Sequence, residues 1–365
     1  MSKWQLRICF ALTCFFVLGG TASAQDVDFL RHDSILDSLP NITTSTIPAN
    51  GDLNPYGVAF VPAGFPAGGK TAAGNVLVSN FNASGNLEGT GTTIVSISPA
   101  GQQSLFATSN LIGLSTALGV LTRGFVIVGN LPVTYPGGVS TPGQGSLQVF
   151  DRNGVLVATF NDATLLDSPW DLTINDEGAK AQVFVSNVLS GTVTRLDLSV
   201  SNTGVTLDRK TQIGSGFGHQ LIAAIVAVGP TGLAYDPQRD LLFVASTADN
   251  AIFAIPDPAR RTTSAGTGFM VFADPVHLHG PLGLTLGPNG RLITANGDGV
   301  NAGGTQNDLV EFTEDGSLVA TYQLDVGAPG AAFGIASTLS NGAVRFAAVD
   351  DDQNTLIVWT LRPSN

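Results

Sequence analysis

Residues 230–256 carry the pattern that decides the fold. They read Pro230-Thr-Gly-Leu-Ala-Tyr-Asp-Pro237, then Leu241-Leu-Phe-Val-Ala-Ser246, then Ala251-Ile-Phe-Ala-Ile-Pro256. The three apolar runs are each too short for a buried helix. They are rich in aromatic and β-branched residues and are bounded by Pro, Gly, Asp and Asn, which is strand-and-turn chemistry. One such meander cannot cover its own apolar faces, so the unit needs neighbours.

The neighbours are present along the chain. Openings of the same kind occur at Asn54-Pro-Tyr-Gly-Val-Ala-Phe60, Ala117-Leu-Gly-Val-Leu121, Ser168-Pro-Trp-Asp-Leu-Thr-Ile174, Pro281-Leu-Gly-Leu-Thr-Leu286 and Ala332-Phe-Gly-Ile-Ala336. Aligned on Gly57, Gly119, Asp171, Gly232, Gly283 and Gly334, the steps are 62, 52, 61, 51 and 51 residues. A second strand follows each opening and ends in Asn, Ser or Asp: Asn80, Asn130, Asn187, Ser246, Asn296 and Asp350. A third strand comes after a loop of variable length, and a fourth completes most units, as in Leu156-Val-Ala-Thr-Phe160 and Leu318-Val-Ala-Thr-Tyr322.

Six repeats of four antiparallel strands predict an all-β, six-bladed β-propeller spanning residues 54–365. The sixth unit has three strands before the chain ends. The segment Asn41-Ile-Thr-Thr-Ser-Thr-Ile47, within an N-terminal stretch of residues 25–53, is expected to supply the missing one and close the ring. A flexible leader from Gln25 to about Leu39 would precede it. Helix signals are nearly absent, and the best candidate is the apolar stretch Gln220 to Val228.

The unit of Pro-x-Gly, apolar strand, Ser-Asn or Ala-Asn ending, loop and strand resembles the NHL repeat and the wider six-bladed group that includes the gluconolactonases. The likeness runs from Asn54 to the end and recurs six times. It speaks to fold, because propellers host many unrelated roles. Metal-dependent lactonases of this architecture hold a divalent ion in the central channel. The resemblance implies a carboxylate at the first inner strand, where this chain reads Asn54-Pro-Tyr-Gly-Val-Ala. Oxygen ligands for calcium or another divalent cation would then come from strand-end Asn80, Asn187, Asn296 and Asp350. The family's amidating lyases use histidines around zinc. His277 and His279, just before the Pro281 turn, are the residues here that fit that use. Two loops add oxygen side chains, Asn296-Gly-Asp298-Gly-Val-Asn301 and Asp350-Asp-Asp352, where a cation would relieve carboxylate repulsion. Neither has the spacing of an EF-hand, and turn hydrogen bonding is the plainer use of such residues.

The first 24 residues read as a secretory signal. Lys3 and Arg7 precede an uncharged apolar run from Ile8 to Leu18, and Ala22-Ser23-Ala24 offers a cleavage site. The run is short for a membrane span, which needs about 20 residues, so no stable membrane insertion is expected after cleavage. The chain is expected to be secreted or periplasmic. Cys9 and Cys14 both lie in this segment, so the mature chain has no disulfide and no thiolate chemistry. The signal carries two of the 16 Lys and Arg and none of the 28 Asp and Glu, which sets the mature charge at −14. An acidic chain without a basic run does not suit nucleic acid or anionic membrane. No nucleophile elbow, P-loop or zinc-protease helix motif is present.

The expected function is a non-catalytic scaffold that binds a protein or small molecule at one mouth of the channel. There the long loops Asn82–Thr92, Leu131–Gly145 and Gly297–Asn307 would gather. The competing expectation is a metal-dependent hydrolase or lyase working in the channel.

Overall fold

The computed structural model describes residues 34–222, 226–297, 308–327 and 330–362. Six four-stranded antiparallel sheets follow one another along the chain. Their inner strands are Leu53–Phe60, Leu114–Leu121, Pro169–Asp176, Pro230–Asp236, Pro281–Leu286 and Ala332–Ser340. Each inner strand packs against the next, and the sixth returns to the first, so the ring is closed. The core lies between the blades: buried aliphatic and aromatic residues of neighbouring sheets interleave, as Ile127, Val149, Leu172 and Val183 do between blades two and three. This is the expected six-bladed propeller.

The closing strand is where the sequence places it. Ile42–Ser45 pairs antiparallel with Thr355–Leu361, in the register Ile42↔Val358 to Ser45↔Thr355. The leader expected to be flexible up to Leu39 is not so over its last residues. Ile35 and Leu36 are buried among Ile293, Phe346 and Trp359. Ser34 Oγ and the Leu36 amide donate to the buried carboxylate of Glu311 at 2.5 and 3.3 Å, and Trp359 Nε1 donates to Ser38 O at 3.1 Å. The physical reason is a buried acid on the third strand of blade five, one of whose oxygens takes its hydrogen bonds from this segment. The best helix candidate, Gln220–Val228, is strand where described: Gln220–Ile222 and Val226–Val228 form a two-stranded ladder, and β-branched Ile and Val favour that pairing. No helix among the described residues is long and apolar enough to cross a membrane.

The recurring glycine has a packing cause. Each of these inner strands bulges near its start, between Pro55 and Val58, Pro169 and Leu172, Pro230 and Leu233, Pro281 and Leu284, and Ala332 and Ile335. The residue just before the bulge ends faces the backbone of the next blade. A Cβ on Gly232, Gly283 or Gly334 would overlap main-chain atoms of Leu284, Phe333 or Tyr56. Blade two departs from the alignment above. Its bulge runs from Leu114 to Leu118, one residue longer, and the equivalent position is Ala117, not Gly119. Hydroxyls lock the bulges: Ser79 Oγ accepts the Gly57 amide at 2.9 Å and donates to Ser115 O at 2.9 Å, and Ser186 Oγ does the same between Asp171 N and Thr231 O.

Gly334 stands at the junction of the sixth and first blades. Gly334→Ala is expected to cost several kcal/mol, on the order of 3, because main chain cannot give way as a flexible side chain can. Gly204→Ala, with open space around it, is expected to change stability by less than about 0.5 kcal/mol. Urea unfolding of the two variants side by side checks both.

Candidate functional site

Because every blade is an antiparallel meander, its turns alternate between two faces. The connections from second to third strand share one face with the crossings from blade to blade. The long loops of blades one and two therefore lie together, as expected, and they touch. Val133 N donates to Gly89 O at 3.2 Å, and Tyr135 Oη donates to Glu88 O at 2.9 Å. The third long loop lies outside the described residues beyond Gly297, except for Asp308 at its end.

Beneath this face the channel is filled. Tyr56 stacks between Phe81 and Phe333 with ring centroids 4.3 and 4.5 Å apart, and Trp170 tilts against Tyr56 at 5.7 Å. Leu282, Leu131, Val133 and Val226 complete the plug. Tyr56, Trp170, Leu282 and Phe333 occupy the same bulge position in four inner strands, so the repeat itself aims four large side chains at the axis. Trp170 is 3% exposed, and its buried Nε1 has no hydrogen-bond partner. The expected mouth under the long loops is thus closed, for a reason of side-chain size rather than loop length.

Past the plug lies a cavity of about 270 Å³. Its wall runs from Val58, Leu118, Leu172, Leu233, Leu284 and Ile335, one from each inner strand, to the partly exposed Phe60, Val120, Ile174 and Ser337 at the opposite face. Among the residues lining it, Asp171 alone is ionisable. It sits at the position that is glycine in four other blades. Where those glycines let backbones touch, Asp171 reaches across instead: Oδ2 accepts the Leu233 amide of blade four at 2.9 Å and Oδ1 accepts its neighbour's Leu172 amide at 2.8 Å. Burial pushes its carboxyl up to about 8, and the two amide hydrogen bonds only partly offset that. The side chain keeps some accessible surface on the cavity side, but protein encloses it on all others, so burial governs. At neutral pH it is mainly a neutral acid, able to donate one hydrogen bond into the cavity.

The sequence-derived ligands fall elsewhere. Asn80, Asn187, Asn296 and Asp350 each pair with the residue that opens the bulge of their blade's inner strand, Pro55, Pro169, Pro281 and Ala332. The three asparagine side chains hold the crossings between blades. Asn80 Nδ2 donates to Thr46 O, Asn187 Nδ2 to Leu165 O and Asn296 Nδ2 to His277 O. They stand on different blades, outside the cavity wall. Asp298 lies outside the described residues. His277 Nδ1 pairs with Asp274 Oδ2 at 2.6 Å, whereas His279 Nε2 meets Val276 O at 3.1 Å. His279 shares a polar hollow of about 490 Å³ with His219, a neighbour that sequence spacing could not suggest. Among the described residues no group of three or more His, Cys, Asp or Glu is placed to hold a metal ion.

Asp350 has an energetic role instead. It is buried and accepts the Gln353 amide at 2.9 Å. Burial first, then the nearby charges of Asp325, Asp352 and Asp308, push its carboxyl up to about 6. A raised acid binds extra protons in the folded state, so its contribution is lost as pH rises from about 4 through about 6. Four sister blades use asparagine here. Asp350→Asn keeps the acceptor and is expected to stabilise the protein at pH 7.5 by about 1–2 kcal/mol, with little change at pH 4. Urea unfolding at the two pH values checks the sign.

No family model and no curated protein matches the sequence. Many solved structures match the fold. The major allergen Mala s 1 of Malassezia sympodialis is 15% identical with a TM-score of 0.54, covering 90% of this chain and 97% of its own. A putative glucose dehydrogenase of Thermus thermophilus is 13% identical, TM-score 0.53, covering 88% and 99%. A calcium-binding protein, regucalcin, of Agrobacterium tumefaciens is 13% identical, TM-score 0.51, covering 88% and 95%. At such identities the likeness extends to the architecture alone, a six-bladed β-propeller.

Proposed function

We propose that this chain is an exported binding protein whose channel cavity takes a small uncharged molecule bearing a hydrogen-bond acceptor. The observation that carries this reading is Asp171: one enclosed carboxyl, anchored by two main-chain amides, in a cavity otherwise lined by aliphatic side chains, hydroxyls and main chain. Two anchored oxygens fix its orientation, and the remaining proton gives direction to a ligand. Acid–base hydrolysis needs a second titratable partner or a metal-bound water. The cavity wall provides neither a second acid nor a histidine. That favours binding over the alternative, a metal-dependent hydrolase or lyase of the lactonase type.

The alternative keeps a concrete form. Calcium binding in the regucalcin neighbour makes a divalent cation the co-reactant to test, with Asn80, Asn187, Asn296, Asp298, Asp350 and His279 as the sequence-derived ligands. The experiment is a ligand-observed NMR screen of small lactones, sugars and amides against the purified mature protein, with elemental analysis of the same sample. The expected result is saturable binding by an uncharged compound that disappears in Asp171→Ala and weakens as pH rises through about 8. A stoichiometric metal that survives chelation, together with lactone turnover, would replace this reading by the hydrolase.

A further inference from the structure

The long-loop face carries a charge pattern that the channel does not explain. Its described residues come from twelve connections: residues 46–52, 83–92, 109–113, 131–145, 161–168, 188–191, 216–222 with 226–229, 247–250, 273–280, 297 with 308, 323–327 with 330–331, and 351–354. Among their described residues there is no lysine or arginine. There are ten acids: Asp52, Glu88, Asp162, Asp167, Asp249, Asp274, Asp308, Asp325, Asp351 and Asp352. The turns of the opposite face hold Lys70, Arg123, Arg152, Arg239, Arg260 and Arg261 against Glu177, Asp240, Asp257, Glu314 and Asp315, and so nearly balance. Asp52 and Asp308 are buried in local hydrogen bonds, Asp162 is paired with Lys210, and Asp274 with His277. Glu88 turns inward to Asn54, Tyr56 and Asn82, and Asp325 and Asp351 each bury one carboxylate oxygen. Asp249 and Asp352 are exposed, and Asp167 is half-buried.

A second observation lies on the same face. Six of its connections each expose one large aliphatic side chain: Ile47, Leu87, Val139, Leu221, Val276 and Val326, the last 96% exposed. Isolated apolar residues are ordinary on a surface. Here they are distributed around a ring over an aromatic plug, on a surface without a single described Lys or Arg. Solubility alone would have been served by mixed charge and by polar residues at the loop tips.

We propose that this face docks a basic protein surface that presents apolar side chains. Acidic loops supply steering and register, and the aliphatic tips supply the buried contacts. The charge rules against the other large apolar candidate, an anionic bilayer, which would repel it. The site is separate from the channel cavity, whose wall contains none of these residues.

The test uses the mature chain and a defined probe, a helical peptide of alternating Leu-Leu-Lys-Lys composition. A lysine peptide of equal charge without leucine and a glutamate-for-lysine peptide serve as comparisons. Binding is read by isothermal titration and by backbone amide shifts. The expected result is saturable one-to-one binding of the Leu-Lys peptide, at least tenfold tighter than the all-lysine peptide and absent for the acidic one. Asp249→Asn/Asp325→Asn/Asp352→Asn is expected to weaken it at least tenfold, and Leu221→Ser/Val326→Ser at least fivefold. Glu177→Gln/Asp257→Asn on the opposite face should leave it unchanged. These positions are exposed or half-buried loop sites, and unfolding midpoints confirm that the variants fold. Equal binding of the two cationic peptides, indifference to the loop variants, shifts mapping to the opposite face, or association with anionic vesicles would each overturn the proposal. A failed Asp171 screen would leave it untouched.

Discussion

A chain that begins at Ile47 is expected to lose most of its folding free energy. Three losses act together. Ile35 and Leu36 leave the core they share with Phe346 and Trp359, which removes about 2 kcal/mol for each side chain. Glu311 is fully buried and loses its Ser34 and Leu36 donors. Asn289 at 3.4 Å and Arg291 at 3.6 Å remain near it, so the cost is about 1–3 kcal/mol for the missing hydrogen bonds to a charge. Thr355–Leu361 then becomes an open edge whose amides and carbonyls face solvent. Together these approach the 5–15 kcal/mol that holds an ordinary domain. The measurement is urea unfolding beside gel filtration. The truncated chain should show a shallow early transition and a concentration-dependent increase in size from edge-to-edge pairing. A milder variant, Leu36→Ala, should keep a single cooperative transition and lose about 2–4 kcal/mol. If the truncated chain unfolds with the parent's midpoint, the N-terminal closure contributes nothing.

That N-terminal lock shows what the sequence could and could not express. The six-bladed ring was legible because its cause is local: a bulge recurs in each unit, with a small residue where the next blade's backbone passes in five of them and an amide at the strand end in four. The closing strand was legible by subtraction, since blade six lacked one. Ser34–Ser38 was not, because its reason to fold is Glu311, which lies 275 residues beyond Leu36 and reads as an ordinary polar strand residue in Asp308-Leu-Val-Glu-Phe312. Blade two shows the same limit on a smaller scale. Gly119 is the nearest glycine to its turn, yet an extra bulge residue moves the true equivalent to Ala117.

For the site, the useful signal was an exception rather than a motif. Asp171 stood in the alignment as the residue that was not glycine. Its meaning depended on which way that position faces, and only the packing of blade three on blade four provides that. The strand-end amides recur more regularly and looked like ligands on chemistry alone. They recur because in four blades the asparagine donates to a main-chain carbonyl of the crossing, and that is a structural demand. Histidine pairing failed for a related reason: His277 and His279 are close in sequence but point into different surroundings, while His219 and His279 meet from distant parts of the chain.

Asp171→Asn is expected to reverse its effect on stability across the pH scale. The folded carboxyl titrates at about 8 against an unfolded value of 3.8. The folded state therefore holds a proton that the unfolded state releases between those values. Stability contributed by this group is full below about pH 4 and is lost progressively as pH rises to about 8, with a slope of at most about 1.4 kcal/mol per pH unit. Asparagine cannot ionise, so the variant escapes that loss. It has its own cost, because Asn offers one carbonyl oxygen to the two amides of Leu172 and Leu233, and one amide is left facing an NH₂ group. That cost is about 1–2 kcal/mol at any pH. The variant should therefore be the less stable protein at pH 4 and the more stable one at pH 8, with the two urea midpoints crossing near about pH 5. A variant that tracks the parent at a constant offset from pH 5 to 9 would mean that Asp171 is ionised throughout. The neutral donor on which the channel reading rests would then not exist.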